Sequence, residues 1–156
     1  MILHIFNNVL KNPDDYVKKI LENGFEDVTI GNDIFKSVKE RGNDEIAQFV
    51  LKKFLFYNIA LNFVRQSPLD QTEPNFVHKD DMMGDLTVIT YLNKQENLYN
   101  GTTLYDNNIK PMCMFVGAYN RMIVFDSHLN HSRNIYENFG KGDLSRLIQV
   151  TFLKKK

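Results

Sequence analysis

The spacing of hydrophobic and polar positions changes along the chain, from a helical period in the first third to short alternating segments afterwards. Apolar side chains recur at helical spacing after Asn12, a natural N-cap, and this pattern stops near Gly24. A second amphipathic helix is predicted to open at Gly42-Asn43-Asp44. Short strands are predicted at residues 2–6 and 28–30, so the first part of the chain is not helical throughout.

From about residue 56 onward, short β-rich segments follow one another and are separated by residues typical of turns. The predicted strands cover residues 58–65, 74–79, 86–92, 102–105, 112–117, 121–125, 129–133 and 145–153. They predict a mostly β fold of the α+β class, namely a double-stranded β-helix (a cupin-like jelly roll) with the N-terminal helices packed on one sheet. We expect a single domain over residues 1–156, in which residues 1–55 support a jelly-roll core at 56–156.

Composition narrows the class of protein without identifying it. The 156 residues contain 19 basic and 19 acidic side chains, so no basic field favours binding to nucleic acid. Cys113 is the single cysteine, which excludes an internal disulfide framework and favours a reducing compartment. No apolar run approaches a membrane span, and the first residues lack the pattern of a signal peptide. We therefore expect a soluble, cytoplasmic protein; its oligomeric state cannot be read from the sequence.

The segment His78-Lys79-Asp80 is the first sign of chemistry in the chain. If it is extended, His78 and Asp80 point to the same side and Lys79 points away. Two such side chains do not hold a metal alone, and a third ligand has to come from elsewhere. One carboxylate and two histidines form the facial triad of non-haem Fe(II) oxygenases. His-x-Asp is common by chance, so its surroundings decide its meaning.

Two downstream histidines, His128 and His131, compete for the third ligand position. Alternation along the segment does not choose between them, because a bulge within residues 127–130 would reverse which side chains share a face. Both remain candidates on the spacing alone. Arg133 follows on the same segment, and a solvated charge and a contact to an acidic substrate are both compatible with its position.

Arg146 shares one face of the last predicted strand with Ile148, Val150 and Phe152. If that face lines the interior, the guanidinium needs an anionic partner, since an unpaired buried charge is costly. A protein carboxylate and a carboxylate of a ligand would both serve. An arginine at a strand end that reaches water is the remaining interpretation.

These residues occur in an order that resembles the 2-oxoglutarate- and Fe(II)-dependent oxygenases, particularly the prolyl-4-hydroxylase-like branch. The resemblance rests on His78-x-Asp80, a distal His131 followed by Ser, and Arg146 on the following strand. Supporting segments are Thr90-Tyr91-Leu92-Asn93, Gly101-Thr102-Thr103-Leu104-Tyr105 and Arg121-Met122-Ile123-Val124-Phe125. The pattern covers residues 56–153 well. It departs from the family at Gly101, where a pair of glycines is common, and in the long gap before Arg146.

The resemblance implies roles for each candidate residue. His78, Asp80 and His131 would be the catalytic iron ligands, with His131 favoured over His128 by the family pattern. Fe(II) would work with 2-oxoglutarate and O₂ as co-substrates, and ascorbate is a candidate reductant. Arg146 and Tyr91 would bind 2-oxoglutarate. His128 and Arg133 would lie on the substrate side.

The implied activity is a dioxygenase that hydroxylates an unactivated C–H bond and releases succinate and CO₂. The substrate stays open among a protein side chain, an amino acid, a small metabolite and a nucleobase, because substrate choice in this fold depends on loops and on the N-terminal region, which carry no readable code. Two alternatives also stay open. One is a cupin metalloenzyme that does not use 2-oxoglutarate, and the other is a non-catalytic jelly-roll binding module.

Overall fold

The structure, a computed structural model, describes residues 1–67, 77–94, 97–134 and 145–156. Two helices run over Pro13–Glu22 (α1) and Glu45–Lys53 (α2). The strands are Leu3–Asn7 (β1), Glu26–Ile30 (β2), Asp33–Glu40 (β3), Tyr57–Ser67 (β4), Leu86–Tyr91 (β5), Asn97–Tyr105 (β6), Pro111–Gly117 (β7), Arg121–Asp126 (β8), Asn130–Arg133 (β9) and Arg146–Lys155 (β10). Neither helix has the length and apolar character needed to cross a bilayer, a statement limited to the described ranges.

Two antiparallel sheets are built from these strands. The major sheet has the order β1-β8-β5-β10-β4-β3-β2, and the minor sheet has the order β7-β6-β9. A hydrophobic cluster joins them, since Leu104 of the minor sheet packs with Ile89, Ile123 and Phe152 of the major sheet. The mostly β, antiparallel architecture predicted from the sequence is therefore confirmed, and its two layers agree with a jelly-roll arrangement.

The two faces of β10 lie in different environments. Ile148, Val150 and Phe152 belong to the cluster between the sheets. Leu147 and Leu153 belong to a second cluster, which contains residues of α1 and α2 as well as of the major sheet. The alternation predicted for this strand is observed, and it places Arg146 on the face turned toward the minor sheet.

Local sequence explains how both helices begin and how α1 ends. Pro13 occupies the first turn of α1, and Asn12 stands at the N-cap position without a capping hydrogen bond from its side chain. Gly24 follows the helix with a φ of +68°, as expected for a C′ glycine. The Asp44 side chain caps α2 by accepting a hydrogen bond of 2.9 Å from the amide of Ala47.

A buried polar network lies on the helix-facing side of β10. The hydroxyl of Tyr16 lies 2.5 Å from Gln149 Oε1 and 2.8 Å from Asp44 Oδ2. Gln149 Nε2 donates to Asp44 Oδ2 at 3.0 Å and to Asn62 Oδ1 at 2.9 Å. Burial and then the Asp44 charge raise the pKa of Tyr16, so its hydroxyl remains a proton donor. The network ties α1 and the cap of α2 to the middle of β10.

The sequence prediction missed β3, which forms a hairpin with β2 and pairs with β4 only through Val38, Lys39 and Glu40. Exposed side chains such as Ile34 and Phe35 leave this hairpin without a clear buried face, so its pattern carries little strand signal. The first part of the chain thus contributes strands as well as helices. Half of the predicted strand at residues 74–79, namely 74–76, lies outside the described residues. Within 77–79, His78 forms an isolated bridge.

Gly101 of β6 is required by a close approach of backbone from β7. A Cβ at this position would lie 1.7 Å from the carbonyl oxygen of Phe115 and 2.5 Å from Asn134 Nδ2. A Cβ at Gly42, by contrast, would meet nothing within 4 Å. The single glycine at position 101 is therefore set by packing between two neighbouring strands.

We expect Gly101→Ala to lower the free energy of unfolding by about 3 kcal/mol, the upper end of the usual cost of overpacking, because the Phe115 backbone has to move. Gly42→Ala is the matched control and should change it by less than about 0.5 kcal/mol. Urea unfolding followed by circular dichroism measures both values. Equal stability of the two variants would contradict this account of Gly101.

Candidate active site

His78 and His131 are held side by side by their own backbones. The amide of His78 donates to the carbonyl of His131 at 3.0 Å, and the amide of His131 donates back to the carbonyl of His78 at 2.9 Å. This exchange is the isolated antiparallel bridge that adds His78 to the edge of the minor sheet at β9. The imidazole centroids are 4.3 Å apart as a result.

Asp80 is fixed next to them by contacts from the major sheet. Its amide donates to the carbonyl of Ser127 at 2.8 Å. Its Oδ2 accepts a hydrogen bond of 3.1 Å from the hydroxyl of Thr87, which in turn lies 2.9 Å from the Ser127 hydroxyl. Thr87 and Ser127 are both buried, so the carboxylate is oriented by groups that cannot exchange freely with water.

Three donor atoms meet at this point. One ligand atom from each of His78, Asp80 and His131 lies within 4.8 Å of the others. His131 Nε2 is 3.1 Å from Asp80 Oδ2, and His78 Nε2 is 3.6 Å from Asp80 Oδ1. The His131 side chain is 5% exposed and that of His78 is 38% exposed, so the cluster is reached from solvent on the His78 side.

The hydrogen bond at the other ring nitrogen of His131 decides which nitrogen can act as a ligand. His131 Nδ1 lies 3.0 Å from the carbonyl oxygen of Leu129. A carbonyl only accepts, so Nδ1 carries the proton and donates. Nε2, which lies 3.1 Å from Asp80 Oδ2, is then the nitrogen that can bind a metal, because its lone pair is freed when its proton is lost.

The electrostatics of the cluster keep Asp80 ionised. Burial by itself raises the pKa of this carboxyl. The hydrogen bond from His131, the charges of both histidines and the hydrogen bond from Thr87 outweigh burial, and the net effect is a pKa below the usual value. Asp80 is therefore a carboxylate at neutral pH and available as an oxygen donor.

Of the two candidate histidines, the geometry brings His131 and not His128 to the cluster found among the described residues. His128 is exposed in the turn between β8 and β9, where the amide of Leu129 donates to the carbonyl of Asp126. The turn interrupts strand alternation before His131. This is why the sequence pattern alone left the choice open.

Tyr91 and Arg146 lie toward the opposite end of the space between the sheets. Tyr91 is fully buried and pairs in register with Ile148, two residues from Arg146 on the same strand face. Its hydroxyl donates to Thr102 Oγ1 at 2.7 Å. Burial raises the pKa of Tyr91 to about 12, against the Thr102 hydrogen bond and the charges of Arg146 and Arg121. The phenol thus stays protonated.

The start of β10 is fixed by Asn93, a residue whose role the sequence pattern did not indicate. Its Oδ1 accepts hydrogen bonds from the amide of Leu147 at 2.8 Å and from Asn100 Nδ2 at 2.7 Å. Its Nδ2 donates to the carbonyl of Ser145 at 2.5 Å. Asn93 therefore holds the backbone on both sides of Arg146, which is itself buried.

Arg133 lies on β9, two residues after His131, and is half-buried. It pairs with Thr102 across the minor sheet. Thr87 and Ser127, which orient Asp80, were not recognised in the sequence. A serine next to His128 and a threonine inside a strand carry no pattern that separates them from other buried hydroxyls.

Comparison with known proteins bears on the fold. No protein-family model matches the sequence, and no curated protein matches it. Solved structures do. A prolyl hydroxylase from Trichoplax adhaerens, determined with a peptide fragment of hypoxia inducible factor, superposes with a TM-score of 0.68 at 17% identity, over 98% of this chain and 83% of that one.

Two further structures extend the likeness. An oxidoreductase of the 2OG-Fe(II) oxygenase family from Burkholderia pseudomallei gives a TM-score of 0.66 at 14% identity, over 99% of this chain and 86% of that one. The non-heme alpha-ketoglutarate-dependent epimerase SnoN of nogalamycin biosynthesis gives 0.71 at 14% identity, over 98% and 77%. With its two antiparallel sheets and its His-Asp-His cluster, the chain has the fold of the 2-oxoglutarate- and Fe(II)-dependent oxygenases, the prolyl hydroxylases among them.

Proposed function

We propose that this protein is an Fe(II)- and 2-oxoglutarate-dependent dioxygenase that hydroxylates an unactivated C–H bond. The observation that carries the proposal is the convergence of His78, Asp80 and His131 within 4.8 Å in an oxygenase fold. The proposed substrate is a side chain of a protein, an amino acid or a small metabolite. The similar prolyl hydroxylase from Trichoplax adhaerens was determined with a peptide, which supports a protein side chain as the substrate.

The donor set fits Fe(II). Two imidazole nitrogens and one carboxylate oxygen are the ligands of a facial triad, which leaves the remaining positions of the metal to co-substrates. Metal–nitrogen and metal–oxygen bonds in proteins are about 2.0–2.2 Å long, so a single ion reaches three donors at this spacing after small rotations of the side chains. The Nδ1–H of His131 and the Thr87 hydroxyl supply the outer contacts that orient such ligands.

The remaining residues would bind and orient the organic co-substrate. Bound Fe(II) would supply the activation of O₂, coupled to conversion of 2-oxoglutarate to succinate and CO₂. Arg146 would bind the far carboxylate of 2-oxoglutarate by charge-assisted hydrogen bonds. The protonated Tyr91 hydroxyl would be a further donor to it on exchanging its present hydrogen bond to Thr102 for one to the carboxylate. The buried surroundings of both residues would strengthen these bonds by excluding water.

One experiment tests the proposal as a whole. Fe(II) is added to the metal-free protein without oxygen, followed by 2-oxoglutarate, and the visible charge-transfer absorption of the chelate is recorded. We expect a band that saturates with 2-oxoglutarate, and succinate formation once oxygen is admitted. Bound iron without this band would favour a cupin metalloenzyme that does not use 2-oxoglutarate, and a band without succinate would favour a binding module.

The third ligand is tested by a matched pair of variants. His131→Ala should weaken Fe(II) binding more than about 100-fold, beyond the effect of losing an outer contact, since it removes a direct donor. His128→Ala should leave iron binding unchanged, because this side chain is exposed in the turn. Calorimetric titration under nitrogen gives both affinities, and loss of iron from the His128 variant would reverse the assignment.

Thr87 should act as a positioning residue for the Asp80 carboxylate. Thr87→Val keeps the shape of the side chain and removes its hydroxyl, so we expect Fe(II) affinity to fall about 10- to 100-fold. Thr87→Ser restores the donor and should recover most of that loss. The energy of the charge-transfer band provides a second readout that general destabilisation would not shift. An unchanged affinity and band in Thr87→Val would remove Thr87 from this role.

Arg146 is tested by separating metal binding from co-substrate binding. Arg146→Ala should weaken 2-oxoglutarate binding about 10- to 100-fold, as expected when hydrogen bonds to a charged group are lost, while Fe(II) affinity stays the same. Arg146→Lys keeps the charge and should be intermediate, because lysine lacks the bidentate geometry. Titration of the band in each variant measures the effect. Unchanged 2-oxoglutarate affinity in Arg146→Ala would rule out this role.

A further inference from the structure

Arg133 lies on the same face of β9 as the proposed iron ligand His131. The register between β9 and β6 is regular, with His131 opposite Leu104 and Arg133 opposite Thr102. Leu104 belongs to the hydrophobic cluster between the sheets. Residues that pair directly across an antiparallel sheet point to the same side, so Arg133 also faces the space between the sheets.

The strand pairing places Arg133 next to Thr102, which is bonded to Tyr91, one of the residues proposed to bind 2-oxoglutarate. The hydroxyl of Thr102, its cross-strand partner, accepts the hydrogen bond of Tyr91 at 2.7 Å. Directly paired side chains begin about 4.5–5.5 Å apart at their Cβ atoms. The charge of Arg146, which lies on the strand next to that of Tyr91 in the major sheet, also acts on Tyr91. Arg133 on the minor sheet and Arg146 on the major sheet thus both lie on strand faces turned toward the space that holds this phenol.

The distance along β9 from His131 to Arg133 is comparable to the distance between the two ends of a five-carbon dicarboxylate. Residues two apart on a strand are separated by roughly 6.7 Å, so Arg133 begins one such step from His131. A five-carbon keto acid that is bound to a metal through its keto end extends its far carboxylate over a comparable distance.

The end of β9 is fixed in a way that suits a binding residue. Asn134, immediately after Arg133, donates from its amide to the carbonyl of Gly101 at 3.0 Å and from Nδ2 to the carbonyl of Phe115 at 2.8 Å. Its Oδ1 accepts a hydrogen bond of 2.6 Å from the hydroxyl of Thr103. These contacts tie the backbone after Arg133 to β6 and β7, so its direction is set before any ligand arrives.

We propose that Arg133 is a second member of the carboxylate clamp and binds the far carboxylate of 2-oxoglutarate together with Arg146 and Tyr91. The inference rests on the proposed function and adds a residue from the minor sheet to a site otherwise built on the major sheet. The clamp then joins the two sheets through the ligand. Arg133 is a co-substrate residue in this account and not a contact to the substrate that is oxidised.

The test compares two ligands that differ only in the far carboxylate. 2-Oxopentanoate has the keto acid of 2-oxoglutarate and a methyl group in place of that carboxylate. In the Fe(II) protein under nitrogen, Arg133→Gln should weaken binding of 2-oxoglutarate about 10- to 100-fold and leave 2-oxopentanoate within about threefold. Arg133→Lys should recover part of the loss. Ser132→Ala, on the opposite face of the same strand, is the control and should change neither affinity.

Other outcomes overturn the inference. Unchanged 2-oxoglutarate binding in Arg133→Gln would remove the residue from the clamp, and equal weakening of both ligands would assign it to general support of β9. If the variants do not fold, the unsubstituted protein with Zn(II) in place of iron still decides. 2-Oxoglutarate, but not 2-oxopentanoate, should shift the guanidinium NMR signal of Arg133, and no shift would contradict the proposal. Failure of the unsubstituted protein to bind 2-oxoglutarate at all would instead sink the proposed function.

Discussion

The reciprocal pair of backbone hydrogen bonds between His78 and His131 is the constraint on which the candidate site depends. Each residue gives its amide and its carbonyl to the other, and both side chains are then committed to the same side of the minor sheet. Separation of the two residues by fifty-three positions makes this a tertiary contact that local propensity cannot produce. The regular pairing of β9 with β6 extends the same constraint to Leu104 and to the space between the sheets.

A second set of contacts links this edge to the major sheet. Asp80 reaches Ser127 through its amide and Thr87 through its carboxylate, and both partners belong to or follow strands of the major sheet. The Asp80 carboxylate is therefore oriented by the major sheet, and the two imidazoles are oriented by the minor sheet. A displacement of the sheets relative to each other would change the distances of the Asp80 carboxylate from both histidines, which makes packing between the layers part of the chemistry of the site.

The features that were predictable from the sequence are those in which neighbours along the chain determine the direction of a side chain. The alternation of Arg146 with apolar residues placed it on the inner face of β10, and the i, i+2 relation of His78 and Asp80 anticipated their convergence. The turn before His131 breaks alternation, so only tertiary structure distinguishes it from His128. The hydroxyl of Thr87 becomes informative only when its partner in space is known.

β10 carries two separate sets of side chains on its two faces. One set, which includes Arg146 and Ile148, faces the minor sheet, and the other, which includes Gln149, is bonded to the helices and to the cap of α2. In the proposed function, substitutions in the first set would change co-substrate binding, whereas substitutions in the second would change the stability of the strand. The side chains on the two faces of β10 can therefore change independently during evolution, because each face contacts a different part of the molecule.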